Sequence, residues 1–139
     1  MFPESKLLPA ALRFEQAHGR KLESFEILQV QDAGLESVEP DSLANQICCV
    51  LDTLPRMSPD YRSAAFWALG KLCDSSLLGF FRGHLAREIE DEMGVAYQIM
   101  IALNNLGEPV WLVGECSFGV AEVERNRTAA VRYLNECAS

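Results

Sequence analysis

The sequence has few of the features that identify an enzyme, a metal protein or a membrane protein. Only two of its 139 residues are histidine, and no two of its five cysteines have the Cys-x-x-Cys spacing of zinc sites. It contains no Walker loop, dinucleotide-binding glycine pattern or nucleophile elbow. No stretch approaches the ~20 apolar residues of a membrane span, and the start does not resemble a signal peptide. We therefore expect a cytoplasmic protein that is not an enzyme, with no catalytic residues, no metal and no cofactor, and without membrane contact.

Basic residues are also scarce. The chain has 12 Lys and Arg against 20 Asp and Glu, a net charge of −8. This balance disfavours nucleic acid and anionic lipid as partners, because binding to them requires an excess of Lys and Arg. Residues 1–73 carry 7 basic and 10 acidic residues, and residues 74–139 carry 5 and 10. We expect a basic protein partner and a more acidic C-terminal half.

The composition otherwise fits a single globular domain. Hydrophobic residues make up 49% of the chain, and a domain commonly holds ~100–200 residues. Four of the five cysteines lie inside or beside apolar helical patterns, which predicts buried, reduced thiols. The cysteines are Cys48, Cys49, Cys73, Cys116 and Cys137.

Apolar residues recur at helical spacing along most of the chain. A first helix is expected over about residues 5–18, with Gly19 as its stop signal. Another follows Pro40, where Asp41 or Ser42 can act as the cap. Ser58-Pro59-Asp60 then predicts the start of a further helix. Ser58 is the N-cap, Pro59 lies in the first turn, and the acid Asp60 suits the positive end of the helix dipole. The helix after Pro40 and the helix after Ser58 are predicted to form a hairpin.

The C-terminal half continues the helical pattern. Asp74 or Ser75 can cap a helix that ends near an acidic run at residues 88–92. The helix after this run is apolar on two sides, which predicts that it packs between neighbours, and Gly107 ends it. A final helix is expected over about residues 120–137.

Two segments are harder to assign. In residues 20–38, Leu22, Phe25 and Leu28 suit a helix, whereas Phe25, Ile27 and Val30 suit a short strand. We favour a short helix followed by a loop. Residues 108–119 contain two glycines and predict a loop or a strained short helix.

The sequence also repeats itself. Residues 68–74 (Ala-Leu-Gly-Lys-Leu-Cys-Asp) align with residues 102–108 (Ala-Leu-Asn-Asn-Leu-Gly-Glu), 34 positions later. Residues 62–65 (Arg-Ser-Ala-Ala) align with residues 127–130 (Arg-Thr-Ala-Ala), 65 positions later. These offsets predict three equivalent helices in a stack of hairpins, in which each hairpin buries the apolar face of its neighbour.

Residues 60–108 resemble the short HEAT-like repeats of bacteria. In that family a helix of the form Arg-x-x-Ala-x-x-Ala-Leu-Gly-x-Leu-Gly-Asp precedes a second helix with spaced leucines, as in residues 61–74 and 77–85 here. The chain departs from the pattern at Cys73, Ala96 and Asn104. A period of 34 also suits tetratricopeptide arrays, which rank second because their Trp, Gly and Tyr spacing is missing.

The resemblance implies an all-α fold of about six to seven helices in stacked antiparallel hairpins, a fragment of an α-solenoid. We expect one helical domain over residues 1–139. Residues 1–40 would form an N-terminal helix and an irregular segment, and residues 41–137 the HEAT-like hairpins.

Acidic residues in the C-terminal half are the candidate partner-binding site. The run at residues 88–92 predicts an exposed turn between helices, which is favoured over a cation site because its acids suit the next helix N-terminus. Acids near residue 123 extend this surface, although Arg125 and Arg127 lie close enough to neutralise it. The candidates are Glu88, Glu90, Asp91, Glu92, Glu122 and Glu124.

A small acidic stack of hairpins offers surface and little chemistry, so we expect a protein-binding module. The leading hypothesis is an immunity protein that neutralises a cognate bacterial toxin domain by direct binding, because some immunity families look like HEAT-type proteins and acids suit the basic surface of a nuclease toxin. The alternative is a HEAT-like adaptor or assembly factor. An enzyme subunit resembling a bilin lyase ranks third.

Overall fold

The computed structural model describes residues 1–112 and 119–138, and over those residues it contains helices and no strand. Seven α-helices within this part of the chain confirm the predicted all-α fold. They are α1 (Leu7–Ala17), α2 (Ser24–Asp32), α3 (Pro40–Asp52), α4 (Pro59–Gly70), α5 (Leu78–Glu88), α6 (Met93–Asn105) and α7 (Val123–Ala138). Short 3-10 helices, Glu4–Lys6 and Ser75–Leu77, precede α1 and α5. No helix in the described part combines the length and the apolar character that crossing a bilayer requires.

The start of α4 confirms the predicted cap. The Ser58 hydroxyl accepts a hydrogen bond from the Tyr61 N–H at 3.2 Å, and Pro59 is the first helical residue. This position suits proline because its missing N–H would have no partner within the helix. At the start of the 3-10 helix Ser75–Leu77, the Asp74 carboxylate likewise accepts a hydrogen bond from the Ser76 N–H at 2.9 Å.

The predicted start of α3 is wrong by two to three residues. Pro40 itself is the first helical residue, and Glu39 precedes it in an extended conformation. Asp41 and Ser42 therefore lie within the first turn and do not cap the helix. The fixed φ of proline, which matches the helical value, explains the earlier start.

Left-handed residues follow four of the described helices, and Gly34 (φ 74°) is the one after α2. Gly19 (φ 103°) follows α1 and Gly107 (φ 85°) follows α6, as the stop signals predicted. Cys73 has φ 52° after α4, at the position that the 34-residue offset aligns with Gly107. The two aligned helix ends thus share the same backbone feature, although only one of them has the glycine that it favours.

Residues 1–73 form one compact unit. Within it, α1 packs against α4, α2 and α3, and α3 packs against α4 across the connection at residues 53–58. The segment of residues 1–40 therefore shares one core with the first predicted hairpin. This core includes Leu7, Phe14, Leu43, Ile47, Phe66 and Leu69, all essentially buried.

Residues 74–139 form the second compact unit. Here α6 packs against both α5 and α7, which also contact each other. The burial of α6 on several sides confirms that it packs between neighbours. Its buried residues are Val95, Ala96, Ile99, Met100, Ala102 and Leu103.

The cysteines are less buried than predicted. The four in the described part are free thiols, of which Cys48 and Cys73 are half-buried. Cys49 and Cys137 are exposed, so the prediction of buried thiols is wrong for these two. Both lie on helix faces that turn away from the core, which the apolar character of cysteine does not reveal.

The two ambiguous segments have different outcomes. A short helix, α2, followed by a loop confirms the favoured prediction for residues 20–38. Residues 108–112 and 119–122 contain no helix. Residues 113–118, which include Cys116, lie outside the described residues.

Candidate protein-binding site

The turn between α5 and α6 carries three exposed acids, Glu90, Asp91 and Glu92. The turn is compact because the N–H groups of Asp91 and Glu92 donate to the Glu88 carbonyl oxygen at 3.0 and 2.8 Å. We call these three residues the acidic turn. Their carboxylates face solvent, where they can attract a basic surface.

Glu88 does not belong to this surface, and the expectation that it is exposed is wrong. Its side chain is 0% exposed. It is the last residue of α5, whose buried residues also include Phe81, His84 and Leu85. This spacing of three and four residues places Glu88 on the buried face of the helix, so its carboxylate is not available to a partner.

The acids at the start of α7 lie near the acidic turn. Glu122 and Glu124 are exposed, and Glu124 forms an ion pair with Arg127. The Arg127 Nε donates to the Ile89 carbonyl oxygen at 3.5 Å, which places this arginine beside the turn. The structure therefore places Arg127 of α7 beside the acidic turn, where this arginine offsets the charge of Glu124.

Carboxylates such as these are also ligands for cations. Across residues 1–112 and 119–138, no group of three or more His, Cys, Asp or Glu side chains is arranged to bind an ion.

Asn126 connects the start of α7 to both described ends of the loop before it. Its buried side chain accepts a hydrogen bond from the Trp111 Nε1 at 3.2 Å and donates to the Gly119 carbonyl oxygen at 2.8 Å. A buried amide that forms both kinds of hydrogen bond positions the backbone around it. No sequence pattern around Asn126 indicated this role.

A second polar network fixes α7 against α5. The Tyr133 hydroxyl donates to Glu108 Oε1 at 2.6 Å and accepts from the Arg82 Nε at 2.9 Å, while the Arg82 Nη2 donates to Glu108 at 2.6 Å. The Tyr133 hydroxyl and the Arg82 guanidinium lower the pKa of the Glu108 carboxyl. Every member is thus paired with another, which indicates a structural network.

Helix α2 exposes its largest apolar side chains, which the sequence analysis missed. Phe25 is 64% exposed and Leu28 is 56% exposed, so the residues whose spacing correctly predicted a helix do not face its core. The residues that α2 buries are Glu26 and Val30. A contiguous group of large exposed apolar residues is the feature that marks interaction sites.

The contacts of Glu26 explain this orientation. Its carboxylate accepts hydrogen bonds from the Glu23 N–H at 2.9 Å and from the Arg20 Nη2 at 2.8 Å. Arg20 also pairs with Glu15 of α1 at 2.7 Å, so the arginine connects the two helices. The Glu23 N–H and the Arg20 guanidinium hold the pKa of the Glu26 carboxyl below its usual range. The pattern Glu-x-x-Glu at residues 23–26 was the available signal, since it resembles a capping box.

A shallow pocket adjoins this apolar surface. It has a volume of about 410 Å³, and Leu8 of α1 and Gln29 and Asp32 of α2 line it. Leu8 is itself 49% exposed. We call Leu8, Phe25 and Leu28, together with this pocket, the α2 surface.

A larger groove lies elsewhere in the first unit. It has a volume of about 1030 Å³ and runs between the first residues of the chain and α3. Phe2 forms part of one wall, and its carbonyl oxygen accepts a hydrogen bond from the buried Tyr61 hydroxyl at 2.7 Å. The core therefore positions this wall, and the exposed face of α3 forms the other.

Comparisons with protein-family models, with curated proteins and with solved structures found no match to this chain.

Proposed function

We propose that this chain is a protein-binding module, and specifically an immunity protein that neutralises a bacterial toxin domain by direct binding. One observation carries the proposal: Phe25 and Leu28 are exposed on a helix that buries Glu26. Exposed aromatic and large aliphatic side chains are favoured at the centres of protein interfaces, where their burial supplies binding energy.

The charge of the chain supports a basic partner. The net charge is −8, and the acidic turn presents Glu90, Asp91 and Glu92 to solvent. Exposed acids attract a basic protein and exclude acidic competitors. A toxin that acts on nucleic acid carries a basic surface, which an acidic inhibitor can cover. The resemblance to HEAT-like proteins, which some immunity proteins share, adds to this proposal.

The test uses a toxin domain encoded beside the gene for this chain. Co-expression with the chain should restore growth of cells that produce the toxin domain. In binding assays with a catalytically inactive form of that domain, Phe25→Ser with Leu28→Ser should weaken affinity by roughly tenfold or more, as loss of central interface residues does. The toxin domain should bind an unrelated acidic protein far more weakly.

Leu54→Ser is the matched control, because Leu54 is 75% exposed and lies outside the α2 surface. This variant should restore growth and bind as the wild type does. All variants should keep the wild-type helical content, since the substituted residues are exposed. The proposal fails if the wild type neither binds the toxin domain nor restores growth. Equal binding by the double variant and the control would show that the α2 surface is not part of the proposed interface.

An adaptor in a larger assembly is the second candidate. The left-handed residues Cys73 and Gly107, 34 positions apart at two helix ends, favour it because recurring helix ends are typical of repeat scaffolds. An adaptor should co-purify with one defined complex and should not restore growth in the toxin assay. Growth rescue without such a complex would argue against it.

A further inference from the structure

The groove in the first unit has an apolar floor and a polar wall. Leu35 and Val50 are nearly buried at its base, and the wall residue Phe2 is nearly buried as well. The groove is open to solvent along its length, unlike the enclosed pockets that surround most small ligands. Its shape suits a chain molecule that lies along the protein surface.

One face of α3 supplies the polar wall. Ser42, Asn45, Gln46 and Cys49 are exposed and follow the spacing of three and four residues that places side chains on one helix face. The side chains of Asn45 and Gln46 form no hydrogen bond with any described residue. A side-chain amide donates and accepts as a peptide group does. Two such amides in succession along a helix can therefore pair with an extended backbone.

The length of the groove and the charges that line it indicate which kind of molecule binds there. Residues 42–53 of this face span ~16 Å at ~1.5 Å per residue of helix, which matches about five residues of extended peptide at ~3.3 Å each. Glu39 and Asp41 line the groove at the start of α3 and form no ion pair within the described part of the chain. These acids disfavour a nucleic acid and favour a basic side chain. Lys6 also lines the groove, on the opposite wall.

We propose that this groove binds an extended peptide segment of about five residues, with Lys or Arg at the end beside Glu39 and Asp41. The peptide backbone pairs with Asn45 and Gln46, and an apolar side chain contacts the floor at Leu35 and Val50. The groove shares Lys6 with the pocket of the α2 surface but not Phe25 or Leu28, and the inference does not rest on the proposed function.

The test uses pools of five-residue peptides with blocked ends, a fluorescent label and one fixed position. Pools with Lys or Arg at the first or last position should bind about fivefold more tightly than the matched pools with Glu, as expected for an ion pair with exposed acids. Glu39→Lys with Asp41→Lys should remove this preference. Glu36→Lys with Asp60→Lys, which reverses two exposed acids outside the groove lining, should retain it.

Cys49 reports directly whether the peptide lies in the groove, because its exposed thiol is part of the wall. A saturating basic peptide should slow alkylation of Cys49 at least fivefold, whereas the exposed Cys137 in the second unit should react at an unchanged rate. The neighbouring Cys48 does not interfere, because burial raises its pKa to about 12 and thiols react as thiolates. Asn45→Ala with Gln46→Ala should weaken binding of every pool.

Three results would overturn the proposal. The first is equal binding of the basic and acidic pools. The second is peptide binding that leaves the alkylation rate of Cys49 unchanged, since the peptide would then bind elsewhere. The third is a Cys49 rate that falls with protein concentration in the absence of peptide, because a second copy of the chain would then cover the groove. Alkylation is measured on the wild type and so does not depend on how any variant folds.

Discussion

Individual carboxylates determine which face of a helix turns inward. Glu26 is 7% exposed and is held by Arg20 and by the Glu23 N–H, so α2 packs with a charged residue inward and Phe25 outward. Burying a carboxylate is costly unless partners satisfy it. Arg20 supplies that partner and also contacts Glu15 of α1. A single ion-pair network therefore creates the apolar surface on which the proposed function depends.

The pH dependence of the free energy of unfolding should show what the charge of Glu26 contributes to stability. Its pKa is lower in the folded chain than its ordinary value of ~4.3. The charged form therefore stabilises the fold above pH ~4.3, and this contribution is lost as the pH falls through the lowered pKa. Glu26→Gln should have a lower free energy of unfolding than the wild type at pH 7, and the difference should shrink between about pH 5 and pH 3.

Urea unfolding at pH 7, 5 and 3.5 measures this effect. Glu36→Gln is the control, because Glu36 is exposed and forms no ion pair with the described residues. The control should follow the wild type at every pH. A constant difference between Glu26→Gln and the wild type across this range would show that the charge of Glu26 does not contribute.

The sequence could not predict which acids are buried. Glu88 and Glu90 lie in one acidic run, yet the first is fully buried and the second is exposed. The difference arises because α5 continues to Glu88 and the turn begins after it. The exact end of a helix depends on tertiary packing, so the exposure of its last residue cannot be read from composition.

At the scale of elements, helix starts and stops were largely predictable. Ser58 and Pro59 begin α4, and Gly19 and Gly107 follow α1 and α6, because caps, prolines and glycines act through local backbone chemistry. The orientation of α2 was not predictable. Its apolar residues suggested a buried face, but the ion pairs of Glu26 with a preceding loop determine how it packs. These contacts lie within six residues of Glu26, and the Glu-x-x-Glu pattern at residues 23–26 indicated a capping box but not that Arg20 would hold Glu26 inward.

The two aligned helix ends should respond in opposite ways to substitution. Cys73 has a left-handed φ of 52°, which costs a residue with a side chain ~1 kcal/mol relative to glycine. Cys73→Gly should therefore raise stability by up to ~1 kcal/mol, less the loss of the contact between its Sγ and the Gly70 carbonyl oxygen at 3.6 Å. Gly107→Ala should lower stability by ~1 kcal/mol.

The strain at Gly107 should be conformational alone, because an added Cβ would meet no atom within 4 Å. Thermal and urea unfolding of both variants measure the effects. Gly79→Ala is the control, since Gly79 lies within α5 with no positive φ and an equally open Cβ position. This control should be neutral or stabilising, as expected for Gly→Ala inside a helix. A destabilising Cys73→Gly would mean that the cysteine side chain contributes more than the backbone strain costs.

At the scale of the whole molecule, charge is the property with the longest reach. The net charge is −8, and residues 74–139 carry 10 acidic against 5 basic residues. Exposed apolar residues act only after contact, whereas charges act over ~8 Å at physiological ionic strength. The acidic turn should therefore affect how fast a basic partner associates, and the α2 surface should affect how long it stays bound.

Association kinetics with the basic toxin domain separate these contributions. Glu90→Lys, Asp91→Lys and Glu92→Lys together should slow association about tenfold at low salt, with a smaller change in dissociation. The difference from the wild type should nearly vanish at ~1 M salt, where the screening length is ~3 Å. The matched control reverses Glu4, Glu36 and Asp60, three exposed acids of the first unit, and so gives the same net charge. If both triple variants slow association equally, net charge rather than the acidic turn guides the partner. If neither does, the partner does not approach through its charge, and the acidic turn is not part of the interface.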